Sequence, residues 1–191
     1  MSSVLTVEHL SVHYEVPAGG LFRRHPLTLK AVNDVSFELR AGETLGIVGE
    51  TGCGKSSLGK GVLQLVRPAA GRVLWEGRDL CTLSPAELKA CRKDLQIIFQ
   101  DPLSSLNPRM TIGEIVAEPL EVHRPELGRD ERRRRVDAML DRVGLRPEMQ
   151  SRYPNEFSGG QCQRISIARA MICEPKRSEE RRVGKECRSR W

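Results

Sequence analysis

Apolar and polar positions alternate through residues 4–16, VLTVEHLSVHYEV, which predicts a strand with Leu10, Val12, Tyr14 and Val16 on one face. Residues 17–28, PAGGLFRRHPLT, read as a loop from their Pro and Gly content. Val35, Phe37 and Leu39 recur at period two, and a turn is expected at Ala41 and Gly42. TLGIVG, residues 44–49, has the type of a short buried strand. From Lys55 a helix is predicted with Leu58, Val62, Leu63 and Val66 on one face, stopped by Pro68. PAAGRVLWEG, residues 68–77, reads as turn, strand, turn, and LQIIF, residues 95–99, as a second buried strand.

Ser84 to Glu87 and Thr111 to Glu114 are capping boxes, each marking a helix start. Residues 129–145 carry the strongest amphipathic helix, with Val136, Met139, Leu140 and Val143 at helical spacing and Gly144 as its stop. Asp130 with Arg134, and Glu131 with Arg135, are expected as i,i+4 pairs. A last helix is expected from near Ser158 to about Cys173. Strands alternating with helices indicate an α/β domain.

Composition narrows the class. Apolar residues make up 39% and charged residues 29% of 191, as in a soluble globular domain. Of the net charge of +6, residues 177–191 supply +3, from six Lys/Arg against three Glu. The basic excess of the remainder is small, and aromatics are scarce, which argues against a nucleic-acid partner. The arginine run at 132–135 reads as a solvated helix face. Cys53, Cys81, Cys91, Cys162, Cys173 and Cys187 form no C-x-x-C pair and no zinc spacing with histidine. With no basic, apolar leader at the N-terminus, free thiols in a reducing compartment are expected. No apolar run approaches membrane-spanning length, so work at a membrane would go through a partner.

The candidate chemistry lies in GETGCGKS, Gly49 to Ser56, which fits G-x-x-x-x-G-K-[ST] between an apolar strand and a helix. Gly49, Gly52 and Gly54 let the backbone turn its N–H groups inward, and the following helix start adds its own donors for phosphate. Glu50, Thr51 and Cys53 complete the loop. Lys55 is expected at the β/γ oxygens, Ser56 on Mg²⁺, and Ser57 on phosphate. FSGGQCQR, residues 157–164, predicts a second anion-binding helix start: Ser158 at the N-cap, Gly159 and Gly160 leaving donors open, Gln161 following. Two cradles in one chain suggest that each serves a different subunit's nucleotide.

Together these stretches resemble the ATP-binding subunit of an ATP-binding-cassette transporter. Gly49–Ser56 matches its Walker A loop, Gln100 in IIFQDP its Q-loop, FSGGQ its signature with Phe where Leu is commoner, and Tyr14 the aromatic that stacks on adenine. QDPLSSLNPRMTIGEIVAEPL and YPNEFSGGQCQRISIARAM are similar to the oligopeptide/dipeptide importer group, in particular the second of its paired ATPase subunits, across about residues 4–176. The resemblance implies a P-loop NTPase fold of cassette type with N-terminal antiparallel strands and an inserted helical lobe at about 111–152, within a domain of residues 1–176. It implies ATP and Mg²⁺ as ligands, the metal held by Ser56 and Gln100, and catalytic parts for Lys55 and Gln100. Implied partners are transmembrane permease subunits, a second ATP-binding subunit, expected to be a paralogue, and an extracytoplasmic peptide-binding protein. The implied location is peripheral, on the cytoplasmic face of the bacterial inner membrane.

The family continues with an apolar strand carrying an Asp and then the Glu that activates water, and later a switch His. RSEERRVGKECRSRW, residues 177–191, has no apolar run and no Asp, and no His follows His123. Its in-frame back-translation resembles a common short-read sequencing adapter, so these residues are expected to be a non-native tail on a C-terminally truncated domain, and the chain as written is expected to lack turnover. Two other readings stay open: a nucleotide-binding module without hydrolysis, and a soluble cassette ATPase not tied to transport.

Overall fold

The computed structural model describes residues 3–17 and 27–175; the expected tail at 177–191 lies outside them. Strand β1 (Ser3–Val16) pairs antiparallel with β2 (Leu27–Arg40) on one side and β3 (Ala70–Trp75) on the other, and β4 (Arg78–Asp79) closes the order β2-β1-β3-β4. The buried positions of β1 change parity, from Leu5 and Val7 to Leu10 and Val12. Strict alternation cannot do this. A bulge does, because one extra residue returns the later side chains to the same face. It falls where the register shifts between Val7 and Leu10, with His9 at φ +51°, and the next shift, between Leu10 and Val12, has Asp34 on β2 at φ +53°.

Polar contacts hold this kink. The His9 amide donates to Ser36 Oγ at 2.8 Å, the Asp34 amide donates to Ser11 Oγ at 3.0 Å, and His9 Nδ1 lies 2.6 Å from Asp34 Oδ1. On β3, Gly71 (φ +94°) lets the bulge approach, since a Cβ there would stand 2.5 Å from the His9 carbonyl oxygen. Beyond Ser11 the pairing with β3 ends and only β2 remains. For that reason the expected apolar face fades: Leu10 and Val12 are buried, Tyr14 is half-buried, and Val16 is exposed.

Helix α1 (Lys55–Val62) packs Leu58 and Val62 against this sheet, each such side chain contributing about 1.5–3 kcal/mol. Gly61 permits the approach, because a Cβ would meet Val12 Cγ2 at 2.6 Å. The helix ends before the predicted Pro68: Leu63 caps it and Gln64 adopts φ +54°.

The described residues form two compact units, meeting in sequence at Leu88 and Lys89 within α2 (Pro85–Cys91). The second unit is helical: α3 (Pro102–Ser105), α4 (Ile112–His123), α5 (Arg129–Arg142) and α6 (Gly159–Met171). It therefore begins well before position 111. Its core gathers Leu106, Ile112, Ile115, Val116, Leu120, Val136, Leu140 and Ile165. The two expected capping boxes, at Ser84 and Thr111, are formed, and Ser158, expected as an N-cap, forms one with Gln161. On α5, Arg135 pairs with Glu131 as expected at 2.9 Å, but Arg134 also takes Glu131 rather than Asp130.

Two expected strands are corrected. Residues 44–49 and 95–99 join no ladder among the described residues, and Leu45, Ile47, Val48 and Ile98 are exposed, Val48 at 93%. A strand exists through its neighbours' hydrogen bonds, and no described segment offers a parallel edge to either.

Candidate functional site

The loop after β2 runs from Gly49 into α1 with Gly52 at φ +87° and Gly54 at φ +98°, so both occupy the left-handed region that favours glycine. A turn closes on the Cys53 amide, which donates to the Glu50 carbonyl at 3.3 Å, and the Leu58 amide donates to the Gly54 carbonyl at 2.8 Å to begin the helix. Gly54 is the N-cap and provides no capping side chain, and the first turn carries no acid. The opening amides of α1 thus keep the orphan donors and positive end that suit an anion.

Lys55 bends back over this loop. Its Nζ donates to the Gly49 carbonyl at 2.7 Å and the Glu50 carbonyl at 2.6 Å, and lies 3.6 Å from Cys53 Sγ. Gly49 is itself confined, because a Cβ there would lie 2.7 Å from that sulfur. The hydroxyl of Tyr14 donates to Ser57 Oγ at 3.3 Å, which holds the end of β1 against the first turn of α1. Thr51 and Ser56 face solvent. One unit therefore brings together Tyr14 and the whole run from Gly49 to Ser57.

The other unit holds the remaining expected site residues. Gln100 is exposed and directly precedes Asp101, whose carboxylate caps α3 by accepting from the amides of Leu103 at 3.1 Å and Ser104 at 3.3 Å. Hydrogen bonds from Ser104 first, then from Leu103, hold the Asp101 carboxyl below its ordinary range. At the start of α6 the Ser158 amide donates to Gln161 Oε1 at 2.9 Å and the Gln161 amide donates to Ser158 Oγ at 3.4 Å. Gly159 and Gly160 are exposed with open space where a Cβ would stand, so packing does not require glycine at either place. Close approach of a ligand would. Gln161 is committed to the cap.

A family model described as "ABC transporter" matches residues 32–177, most of the chain. The chain belongs to the ABC transporter family. Among curated ABC transporter relatives, an oligopeptide transport ATP-binding protein OppF of Haemophilus influenzae is 56% identical over 174 residues, covering 91% of this chain and 52% of that protein. The Escherichia coli OppF is 55% identical over the same coverage, and a di/tripeptide transport ATP-binding protein DppF of Pseudomonas aeruginosa is 48% identical over 92% of this chain and 54% of its own. The chain spans about half the length of these curated relatives. Among solved structures it is similar to the ATP-binding cassette MJ0796 bound to ADP and Pi, at a TM-score of 0.75 and 27% identity, covering 95% of this chain and 78% of that one. The dimeric form of MJ0796 matches at a TM-score of 0.75 and 29% identity, covering 90% of this chain and 70% of that one. The antiparallel N-terminal strands and the helical unit are those of an ABC cassette.

Sequence reasoning passed over two features of this ABC chain. Asp101 followed by Pro102 is an N-cap with Pro at the first helical position, a signal legible in QDPLSS. The guanidinium of Arg169 donates to the Ser105 carbonyl at 2.8 Å, a tertiary contact that no local pattern announces. The five described cysteines are free, and burial pushes the thiols of Cys81, Cys162 and Cys173 up while Cys53 is exposed. Among the described residues no group of three or more His, Cys, Asp or Glu could hold a metal, and no helix is long and apolar enough to cross a membrane.

Proposed function

We propose that the chain is the ATP-binding part of a subunit that powers peptide import. The observation that carries this reading is the glycine-turned loop from Gly49 to Lys55, feeding a helix that starts without a capping side chain. That loop presents backbone donors and one ammonium to a polyphosphate, and few other ligands would use both. Glu50 and Thr51 would contribute main-chain donors, Cys53 its amide once the turn to the Glu50 carbonyl opens, Ser57 a hydroxyl, and Tyr14 a ring beside Ser57. On binding ATP, Lys55 would leave the carbonyls of Gly49 and Glu50 for the β/γ oxygens.

Mg²⁺ is a hard cation that takes hydroxyl, amide and phosphate oxygens. Ser56, at the start of α1, would offer it a hydroxyl, and Gln100, in the helical unit, is assigned to it by the family resemblance alone. Bound beside the phosphates, the ion would neutralise their charge. Ser158, Gly159, Gly160 and Gln161 would face the nucleotide held by a second ATP-binding subunit, in a head-to-tail pair. Positioning and charge neutralisation are the main protein contributions to phosphoryl transfer to water. The peptide-transport names of relatives near 55% identity support peptides as the cargo, with permease subunits as membrane partners, a peptide-binding protein outside, and a peripheral place on the cytoplasmic side.

Deletion of the source gene and its complementation test this. Peptide uptake should be lost on deletion, return with the unaltered gene, and stay lost with Lys55→Ala. Uptake that survives the deletion, or ATP affinity unaffected by Lys55→Ala, rejects the reading.

A further inference from the structure

Helix α3 has only four residues: Ser105 Oγ and the Leu106 amide serve its Pro102 and Leu103 carbonyls, and its last two carbonyls need partners from outside the helix. One of them, on Ser105, accepts a hydrogen bond of 2.8 Å from Arg169 in the last turn of α6, sixty-four positions along the chain. A second contact joins the same pair of helices: Ser105 Oγ lies 3.4 Å from the hydroxyl of Ser166, which is 1% exposed and one of two buried polar residues among the described residues. The next residue, Leu106, is 3% exposed in the core with Ile165 and Ala168 of α6. At its other end α3 is capped by Asp101, directly after Gln100. The run from Asp101 to Leu106 is thus fixed at both ends, and α6 carries the far one.

Arg169 lies eleven residues along the helix that Ser158 caps, roughly 16 Å along its axis. A cation suits the carbonyl end of a helix, and the planar guanidinium fixes direction where a lysine would supply only a point charge. We propose that Arg169 is a positioning residue that locks the segment bearing Gln100 to the helix headed by Ser158. Displacement at Gln100 is then delivered to the Ser158–Gln161 turn by one stiff body. The lock stands on geometry; its consequence for turnover rests on the ATP-dependent reading above.

The test uses Arg169→Met, Arg169→Lys and Ser166→Ala in the full-length gene product assembled with its transport partners. Amide hydrogen exchange across residues 103–106 and the kcat and KM for ATP hydrolysis are measured. Arg169→Met should speed exchange there and lower kcat roughly tenfold, about 1.4 kcal/mol in barrier, with KM for ATP nearly unchanged. Arg169→Lys should recover part of the loss, and Ser166→Ala should show a smaller change of the same kind. Unchanged exchange at 103–106 in Arg169→Met overturns the lock, and so does a rise in KM with kcat intact. Should Arg169→Met fail to fold, Arg169→Lys and Ser166→Ala decide by the same split. An unaltered protein that neither binds nor hydrolyses ATP removes the functional reading instead, and the exchange measurement still judges the lock.

Discussion

The carbonyl oxygen of Ala31 occupies the space that a side chain on Gly54 would need. The neighbour is backbone, and Gly54 stands at φ +98°, so neither rotation nor a flexible side chain can relieve the overlap. Gly54→Ala should therefore displace either β2 or the loop and cost about 1–3 kcal/mol. Thermal melting should report the lost stability, and a fluorescent ATP analogue should no longer bind. Wild-type melting and affinity in this variant would show that the close approach is not needed.

Lys55→Ala removes the ammonium that bridges the Gly49 and Glu50 carbonyls in the structure. Because both of these hydrogen bonds are exposed, stability should change by no more than about 0.5 kcal/mol. Affinity for the ATP analogue should fall by at least about tenfold, or 1.4 kcal/mol. Equal losses in stability and affinity would instead mark Lys55 as a structural clamp.

Ser158→Arg should separate two functions. Losing the N-cap costs about 1 kcal/mol, measurable as a lower melting temperature of the helical unit. ATP-analogue binding at the Gly49–Ser57 loop should persist, while ATP-dependent dimerisation of the full-length protein, followed by light scattering, should disappear. Dimerisation that survives would rule out the shared-nucleotide arrangement.

How much of this was legible beforehand depended on the range of the determinant. The capping box at Thr111, the N-cap at Ser158 and the αL stop at Gly144 are local, and the pattern placed each correctly. The Gly49–Lys55 loop is local too, because its glycines are required within a single turn. The bulge at His9 leaves no local signal because it is defined by register against Asp34 and Gly71, distant in sequence. TLGIVG was misplaced for the same reason: its residues have strand character, but a ladder belongs to pairs of segments. Arg169 looks like any helix-surface arginine until Ser105 is beside it.

His123 provides a pH signature. Desolvation first, then the nearby Lys89, Lys93 and Arg92, lower its pKa from the ordinary 6.5, with Asp94 opposing. The unfolded chain therefore binds the proton more readily. His123 leaves stability undiminished above pH 6.5 and subtracts from it progressively as pH falls through the lowered value. Melting temperature should decline on acidification below pH 6.5, before the carboxylates titrate, and His123→Gln should flatten that slope. An identical slope in the variant would assign the decline elsewhere.

The exposed run Leu45, Ile47 and Val48 should control the solubility of the 191-residue chain. Unpaired apolar segments of strand character template association. Val48→Lys should raise the monomer yield on size exclusion while leaving the helical unit's melting unchanged. A yield no better than the unaltered chain's would place the association surface elsewhere.

The kink at His9 and Asp34 bears on how the chain tolerates changes of length. Sliding β1 along β2 by one residue would break the contacts to Ser36 and Ser11 together and turn Leu10 and Val12 outward. The register is therefore anchored inside the ribbon. A one-residue insertion or deletion within β1 between Ser11 and Tyr14 would change the height of Tyr14 over Ser57 while leaving the kink itself in place.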